Sequence, residues 1–220
     1  MIDFTTLNIS KMKKVFNNIT WWLFGLACTL IGLYPGIYFL VDRHFGLLSS
    51  KSQELLSDQI WNIAFYGHIV LGGIALLIGW IQFSEKLRKK RMGLHRTVGK
   101  IYVLSVLISG VCGIYIAQFA TGGISNVIGF SLSGIVWLTT TILAFRAIKS
   151  GNIESHIKFM TYSYAVCFSA VTLRIWLPIL VPTMGGFDSA YLIVAWLSWV
   201  PNLFVAYFIL HRRKMKLAKI

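Results

Sequence analysis

Arg174 stands inside the apolar run Phe168-Ser-Ala-Val-Thr-Leu-Arg174-Ile-Trp-Leu-Pro178. A cation at bilayer depth costs about 3 kcal/mol or more and usually marks a functional pocket. The seven acids, Asp3, Asp42, Glu54, Asp58, Glu85, Glu154 and Asp188, all fall outside the apolar runs. The guanidinium must therefore meet an acid reaching in from a loop, a backbone carbonyl or a bound anionic group. His68 is expected at matching depth. It lies about 12 Å into its own run, and small residues, Gly72, Ala75 and Gly79, continue the same helical face. An imidazole above a strip of small side chains leaves room for a flat ligand or for a closely packed helix.

A second layer is expected at the other membrane edge. His95 and His156 open their apolar runs at similar depth, and neutral imidazoles are good haem-iron ligands. Two of them on facing helices would clamp one haem, with Arg96, Lys100 and Lys158 meeting its propionates. About five helical turns separate His156 from Arg174, so the two share a face some 27 Å apart along the axis. Met160, Ser163, Cys167 and Ala170 lie between them on that face. Tyr102, Ser105, Ser109 and Cys112 form a polar stripe on another helix, with Gln118 near its end. They would hydrogen-bond a quinone or, equally, each other and the backbone. His44 and His211 are weaker additions to the two layers.

These residues need helices to hold them. Of the 220 residues, 56% are hydrophobic and only 13% charged, the profile of a polytopic membrane protein. Apolar spans of about 20 residues fit at 19–41, 61–83, 98–119, 124–146, 157–181 and 189–211. The reading is all-α: one integral membrane domain over residues 1–220, a bundle of six transmembrane helices. Lys11, Lys13 and Lys14 precede the first span. Lys86, Arg88, Lys89, Lys90, Arg91, Arg96 and Lys100 follow the second. Arg146, Lys149 and Lys158 flank the fourth connection, and Arg212, Arg213, Lys214, Lys216 and Lys219 close the chain. Only Arg43, Lys51 and Arg174 fall to the other side. The bias of basic loops puts both termini in the cytoplasm of a bacterial inner membrane. The net charge of +14 is then topology and anionic-lipid contact, with no nucleic-acid partner implied.

Pro35-Gly36 is expected to interrupt the first helix and Pro201-Asn202 the sixth. The stretch 42–60 is the one sizeable loop on its side, with a short interfacial helix. Cys28, Cys112 and Cys167 read as small buried hydrophobes rather than a disulfide or metal set. The spans 2–3 and 4–5 form two similar hairpins. No nucleophile elbow, phosphate loop, HExxH helix or intramembrane acid pair is present, and the missing carboxylates disfavour a proton-coupled transporter.

The segments His68-Ile-Val-Leu-Gly-Gly-Ile-Ala-Leu-Leu-Ile-Gly79 with Gln82-Phe83, His95-Arg96-Thr-Val-Gly-Lys-Ile-Tyr102, and His156…Met160…Ser163-Tyr-Ala…Ala170-Val-Thr-Leu-Arg174 resemble the bacterial membrane proteins grouped as domain of unknown function 2306. The resemblance spans residues 60–180 and implies a multi-helix membrane protein without a settled activity. It implies that His68, His95, Arg96, His156 and Arg174 are the shared polar signature. A looser likeness is to cytochrome b561-type six-helix proteins, in which four core histidines hold two haems; here the fourth span carries no histidine. The leading expectation is a redox protein binding haem b or a quinone, with His68, His95, Arg96, His156, Arg174, Tyr102 and Ser163 as cofactor residues. His95 and His156 would be the iron ligands. A lipid- or partner-binding assembly protein and a small-anion transporter are the alternatives. Membrane lipids, a membrane redox protein and a second copy of the chain are the expected partners.

Overall fold

The computed structural model describes the backbone of residues 4–41 and 46–217, and the side chains of 18–41 and 46–215. Ten α-helices and three short 3-10 turns make up the described chain. In order they are α1 (Phe4–Leu33), a 3-10 turn Tyr34–Phe39, a second at Gly46–Ser50, α2 (Gln53–Ser57), α3 (Gln59–Gly79), a third turn Trp80–Phe83, and α4 (Glu85–Lys90). There follow α5 (Met92–Ala117), α6 (Ile124–Lys149), α7 (Ile153–Cys167), α8 (Ser169–Thr183), α9 (Phe187–Leu197) and α10 (Val200–Leu217). Among the described residues no strand occurs, and six stretches are long and apolar enough to cross a bilayer: 18–39, 59–83, 92–117, 124–149, 153–183 and 187–215. The third stretch begins at Met92, earlier than residue 98, because the helix winds on through the charged segment Arg96 to Lys100.

Local chemistry accounts for the ends. Asp58 Oδ1 accepts from the Trp61 amide at 2.9 Å and starts α3. Asn152 Oδ1 accepts from Ser155 at 2.9 Å and starts α7. Both use the unpaired donors of a first helical turn. Pro35 ends α1 and tightens the chain into a 3-10 turn. The Gly122-Gly123 and Gly185-Gly186 turns adopt positive φ, which L side chains rarely do.

The fifth and sixth spans are each divided. Phe168 separates α7 from α8, and Ser198-Trp199 separates α9 from α10 just before Pro201. A break inside a bilayer leaves carbonyls that need donors. The two breaks supply each other: Thr172 donates to the Ser198 carbonyl, and Asn202 Nδ2 donates to Ala165 O at 3.2 Å, Thr172 Oγ1 at 3.1 Å and Ser198 O at 2.9 Å.

The most extensive helix pairings are α3 with α5 and α6 with α7. Each is stitched by one imidazole. His68 Nδ1 meets the Ser109 carbonyl at 2.9 Å, and His156 Nδ1 meets the Ala144 carbonyl at 2.9 Å. The first helix crosses α3 where Gly73 and Gly32 touch; a Cβ on Gly73 would lie 2.6 Å from the Gly32 carbonyl. Small residues let backbones approach in this way inside a membrane. One core cluster, including Cys28, Leu76, Tyr102, Val106, Tyr164 and Cys167, fills the middle of the bundle. A second, Tyr38, Leu48, Leu56, Trp61 and Phe65, caps the face that carries the first two 3-10 turns. The outward surface is a coat of exposed apolar side chains, among them Leu26, Leu30, Leu104, Ile108, Phe204 and Phe208. That coat suits lipid rather than water. The basic connection 84–91 lies on the face opposite the cap, called here the basic face.

Candidate functional site

A cavity of about 260 Å³ lies in the bundle beneath the aromatic cap. Its walls come from the first turn, α3, α5, α6, α8 and α9. Small residues, Gly72, Gly110, Gly113 and Gly134, alternate with the rings of Trp61, Phe130, Trp137 and Tyr191. His68, Arg174 and Lys51 supply its basic nitrogens, and Tyr38, Tyr191, Ser133, Ser169 and Ser198 are its hydroxyl-bearing residues. His68 of the second span and Arg174 of the fifth therefore face one space.

Arg174 meets no acid there among the described residues. Among the described residues the one ion pair joins Lys89 to Glu85 at 3.2 Å, far along the chain on the basic face. The guanidinium instead lies over the Tyr34 ring, 4.3 Å from its centroid, and Nη1 donates to the Ala170 carbonyl at 2.9 Å. A desolvated cation–π contact contributes about 2 kcal/mol, and a charge-assisted hydrogen bond about 1.5–3 kcal/mol. Together they match the roughly 3 kcal/mol cost of an arginine at bilayer depth. A backbone carbonyl was one of the three solutions open from the sequence; the aromatic face was not foreseen. The remaining guanidinium donors are available to the cavity.

His68 is held by its other side. Nδ1 lies 2.9 Å from Ser109 O and 3.2 Å from Ser109 Oγ, while that hydroxyl donates to His68 O at 2.9 Å. Gly113 makes room for the ring, since a Cβ there would sit 2.7 Å from Nδ1. No hydrogen bond from a described residue occupies Nε2.

Lys51 lines the cavity from the segment before α2. Its ammonium donates to the Phe119 carbonyl and to Thr121 Oγ1, the latter at 2.9 Å, and so ties the cap to the turn between α5 and α6. Burial lowers its pKa from the ordinary lysine value. Two of its three donors are spent on protein, so Arg174 is the freer cation.

A family model described as a predicted membrane protein, DUF2306, matches residues 65–210. The chain belongs to the DUF2306 family of predicted membrane proteins. The match takes in His68, His95, His156 and Arg174, and the parts of the cavity wall on α5, α6, α8 and α9; the first turn and Lys51 lie outside it. No curated protein and no solved structure matches the chain. The looser likeness to cytochrome b561-type proteins thus rests on the histidine pattern alone.

The other expected site residues of this DUF2306 chain lie elsewhere. Tyr102 and Ser163 do not line the cavity; they belong to a buried hydroxyl circuit. Trp137 Nε1 donates to Tyr102 Oη (3.4 Å), Tyr102 pairs with Ser163 (2.8 Å), Ser163 pairs with Thr141 (2.7 Å), and Thr141 donates to the Trp137 carbonyl (2.7 Å). Every hydroxyl gives one bond and takes one, and the loop ends on the residue where it began. Such a closed set specifies packing and keeps no group over for a cofactor. Ser105 and Ser109, on the same stripe as Tyr102, are also buried.

On the basic face His95 and His156 lie within electrostatic reach of each other. His156 spends Nδ1 on Ala144, which leaves Nε2. His95 Nδ1 is buried with no partner among the described residues, as are both amide atoms of Gln82. Arg96 is exposed. Among the described residues no group of three or more His, Cys, Asp and Glu is arranged to hold a metal ion. His211 is exposed and stacks on Tyr207, 6.0 Å between centroids. His44 lies outside the described residues. Lys51, Tyr34 and Trp137 were missed as site residues. Lys51 carried a signal, being one of three basic residues away from the basic face; Tyr34 and Trp137 carried none beyond their aromaticity.

Proposed function

We propose that this multi-pass membrane protein binds a single-ring, carbonyl-bearing amphiphile, a quinone headgroup, in the cavity between His68 and Arg174. The observation that carries the reading is an arginine inside the bundle that pairs with no acid among the described residues, has donors beyond the one spent on Ala170, and faces a ring-lined cavity. Size favours a quinone over a porphyrin at this position. A dry 150 Å³ cavity accepts benzene, and pockets for larger ligands begin near 300 Å³. About 260 Å³ therefore suits one substituted ring. Arg174 would donate to a ring carbonyl, the glycines would let the ring lie flat, and the isoprenoid tail would leave toward lipid. The cytoplasmic placement of both termini, in a bacterial inner membrane, is part of the same proposal.

The test is direct. Protein purified in mild detergent is extracted with organic solvent and analysed for quinone, then titrated with a short-tailed benzoquinone while tryptophan emission is read. Trp61 and Trp137 line the cavity and should be quenched saturably. Arg174→Met is expected to weaken binding at least tenfold. Absence of both co-purified quinone and saturable quenching would overturn the reading. A second reading, haem b on the basic face, is favoured by His156, whose Nδ1 is anchored on a backbone carbonyl as in iron-ligating histidines. A Soret band in the fresh protein, lost in His156→Ala, is its expected signature.

A further inference from the structure

The His68 imidazole has a defined donor side. A carbonyl oxygen only accepts, so the 2.9 Å contact with Ser109 O places the ring proton on Nδ1. The Ser109 hydroxyl uses its own proton on His68 O, so it too can only accept from Nδ1. Nε2 is then a bare lone pair. Protonating it would add a charge to a cavity already lined by Arg174 and Lys51. The cavity wall therefore offers an acceptor, His68 Nε2, and a cationic donor, Arg174, freer than Lys51, which is tied to Phe119 and Thr121.

We propose that the site selects a ring that bears a hydroxyl for His68 as well as an oxygen for Arg174: the reduced hydroquinone form rather than the oxidised quinone. This rests on the quinone reading above and deepens it. A quinone's carbonyls only accept, so neither can bond to Nε2; a carbonyl placed at His68 would meet another lone pair. A hydroquinone donates one O–H to Nε2 and presents its other oxygen to the guanidinium. Leaving a buried acceptor without a donor weakens binding roughly ten- to a hundredfold, which sets the expected preference for the reduced form. By linkage, each tenfold preference raises the two-electron midpoint potential of the bound couple by about 30 mV. A reduced ligand held in this way is protected as the hydroquinone until a membrane electron acceptor takes its electrons.

The experiment titrates detergent-purified protein anaerobically with a short-tailed benzoquinone and, separately, with the same compound fully reduced. Wild type is expected to bind the reduced form ten- to a hundredfold more tightly. His68→Phe removes the acceptor and should erase that ratio. His68→Gln restores an acceptor and should regain part of the preference. Should the Phe variant fail to fold, Gly113→Ala serves instead: its Cβ would press on the ring at Nδ1, and the ratio should shrink. Equal affinity for the two forms in wild type overturns the inference and leaves quinone binding standing. A preference that survives both His68→Phe and Gly113→Ala overturns it as well. Failure of either form to bind removes the quinone reading itself.

Discussion

Arg174 is the residue on which a functional and a structural account diverge most clearly. Its contacts with Tyr34 and Ala170 about balance the cost of placing a guanidinium in the bundle. Replacing it with methionine should therefore change apparent Tm by only a few degrees while binding falls at least tenfold. A thermal-shift assay beside the fluorescence titration checks both; a drop in Tm beyond about 10 °C would make the arginine a structural element. Lys51 is expected to leave a pH signature. Its pKa in the folded protein is lowered, so between that value and the ordinary one the unfolded chain binds more protons. Stability then rises with pH across the window just below the ordinary lysine range. Wild type minus Lys51→Met, followed by Tm from pH 8 upward, should show that increment; a flat difference counts against the burial of the ammonium. Ser163 is a third case. Its loss to alanine leaves the Tyr102 and Thr141 hydroxyls buried with one bond fewer, at about 1–3 kcal/mol. Quinone affinity should stay within about threefold, because Ser163 does not line the cavity.

At the scale of helices, the bundle is held by close approach and by mutual repair of breaks. Gly79 on α3 lies against the rings of α7 and α5. A Cβ there would fall 2.3 Å from Tyr164 Cε2 and 2.9 Å from Tyr102 Cε2. Gly79→Ala should cost about 1–3 kcal/mol by overpacking and disturb the Tyr164 bond to the Leu76 carbonyl. Hydrogen exchange of the α3 amides should accelerate; unchanged exchange would mean the rings move aside freely. Much of this level was legible in advance. Apolar length located the six spans, and Pro35 and Pro201 marked two interruptions. The break at Phe168 was not legible: no proline or glycine stands there, and its support comes from Asn202 on a distant helix. The two histidine stitches were hidden for the same reason, since each depends on a carbonyl from another helix.

Seen whole, the molecule is a lipid-coated bundle with a capped cavity toward one face and a basic rim at the other. The distribution of Lys and Arg predicts that the rim faces the cytoplasm. A C-terminal reporter fusion should be active only in that compartment, and a reporter in the 46–58 segment only on the opposite side. Exchange of those two signals would invert the placement of the cavity.

The sequence alone determined the number of spans, their apolar lengths and the presence of an arginine without an acid at depth. Those are properties of residue type along one dimension: twenty apolar side chains define a crossing wherever their neighbours lie. It also put His68 and Arg174 at matching depth, because helical rise converts residue number into distance. Only the tertiary structure decided which side of each ring faces the cavity. Tyr34 beneath Arg174, Ser109 against His68 Nδ1, and Ser163 locked between Tyr102 and Thr141 all join residues far apart in the chain. Hydrogen-bond direction and rotation about a helix axis are set by contacts across the bundle, and neither is written in local spacing.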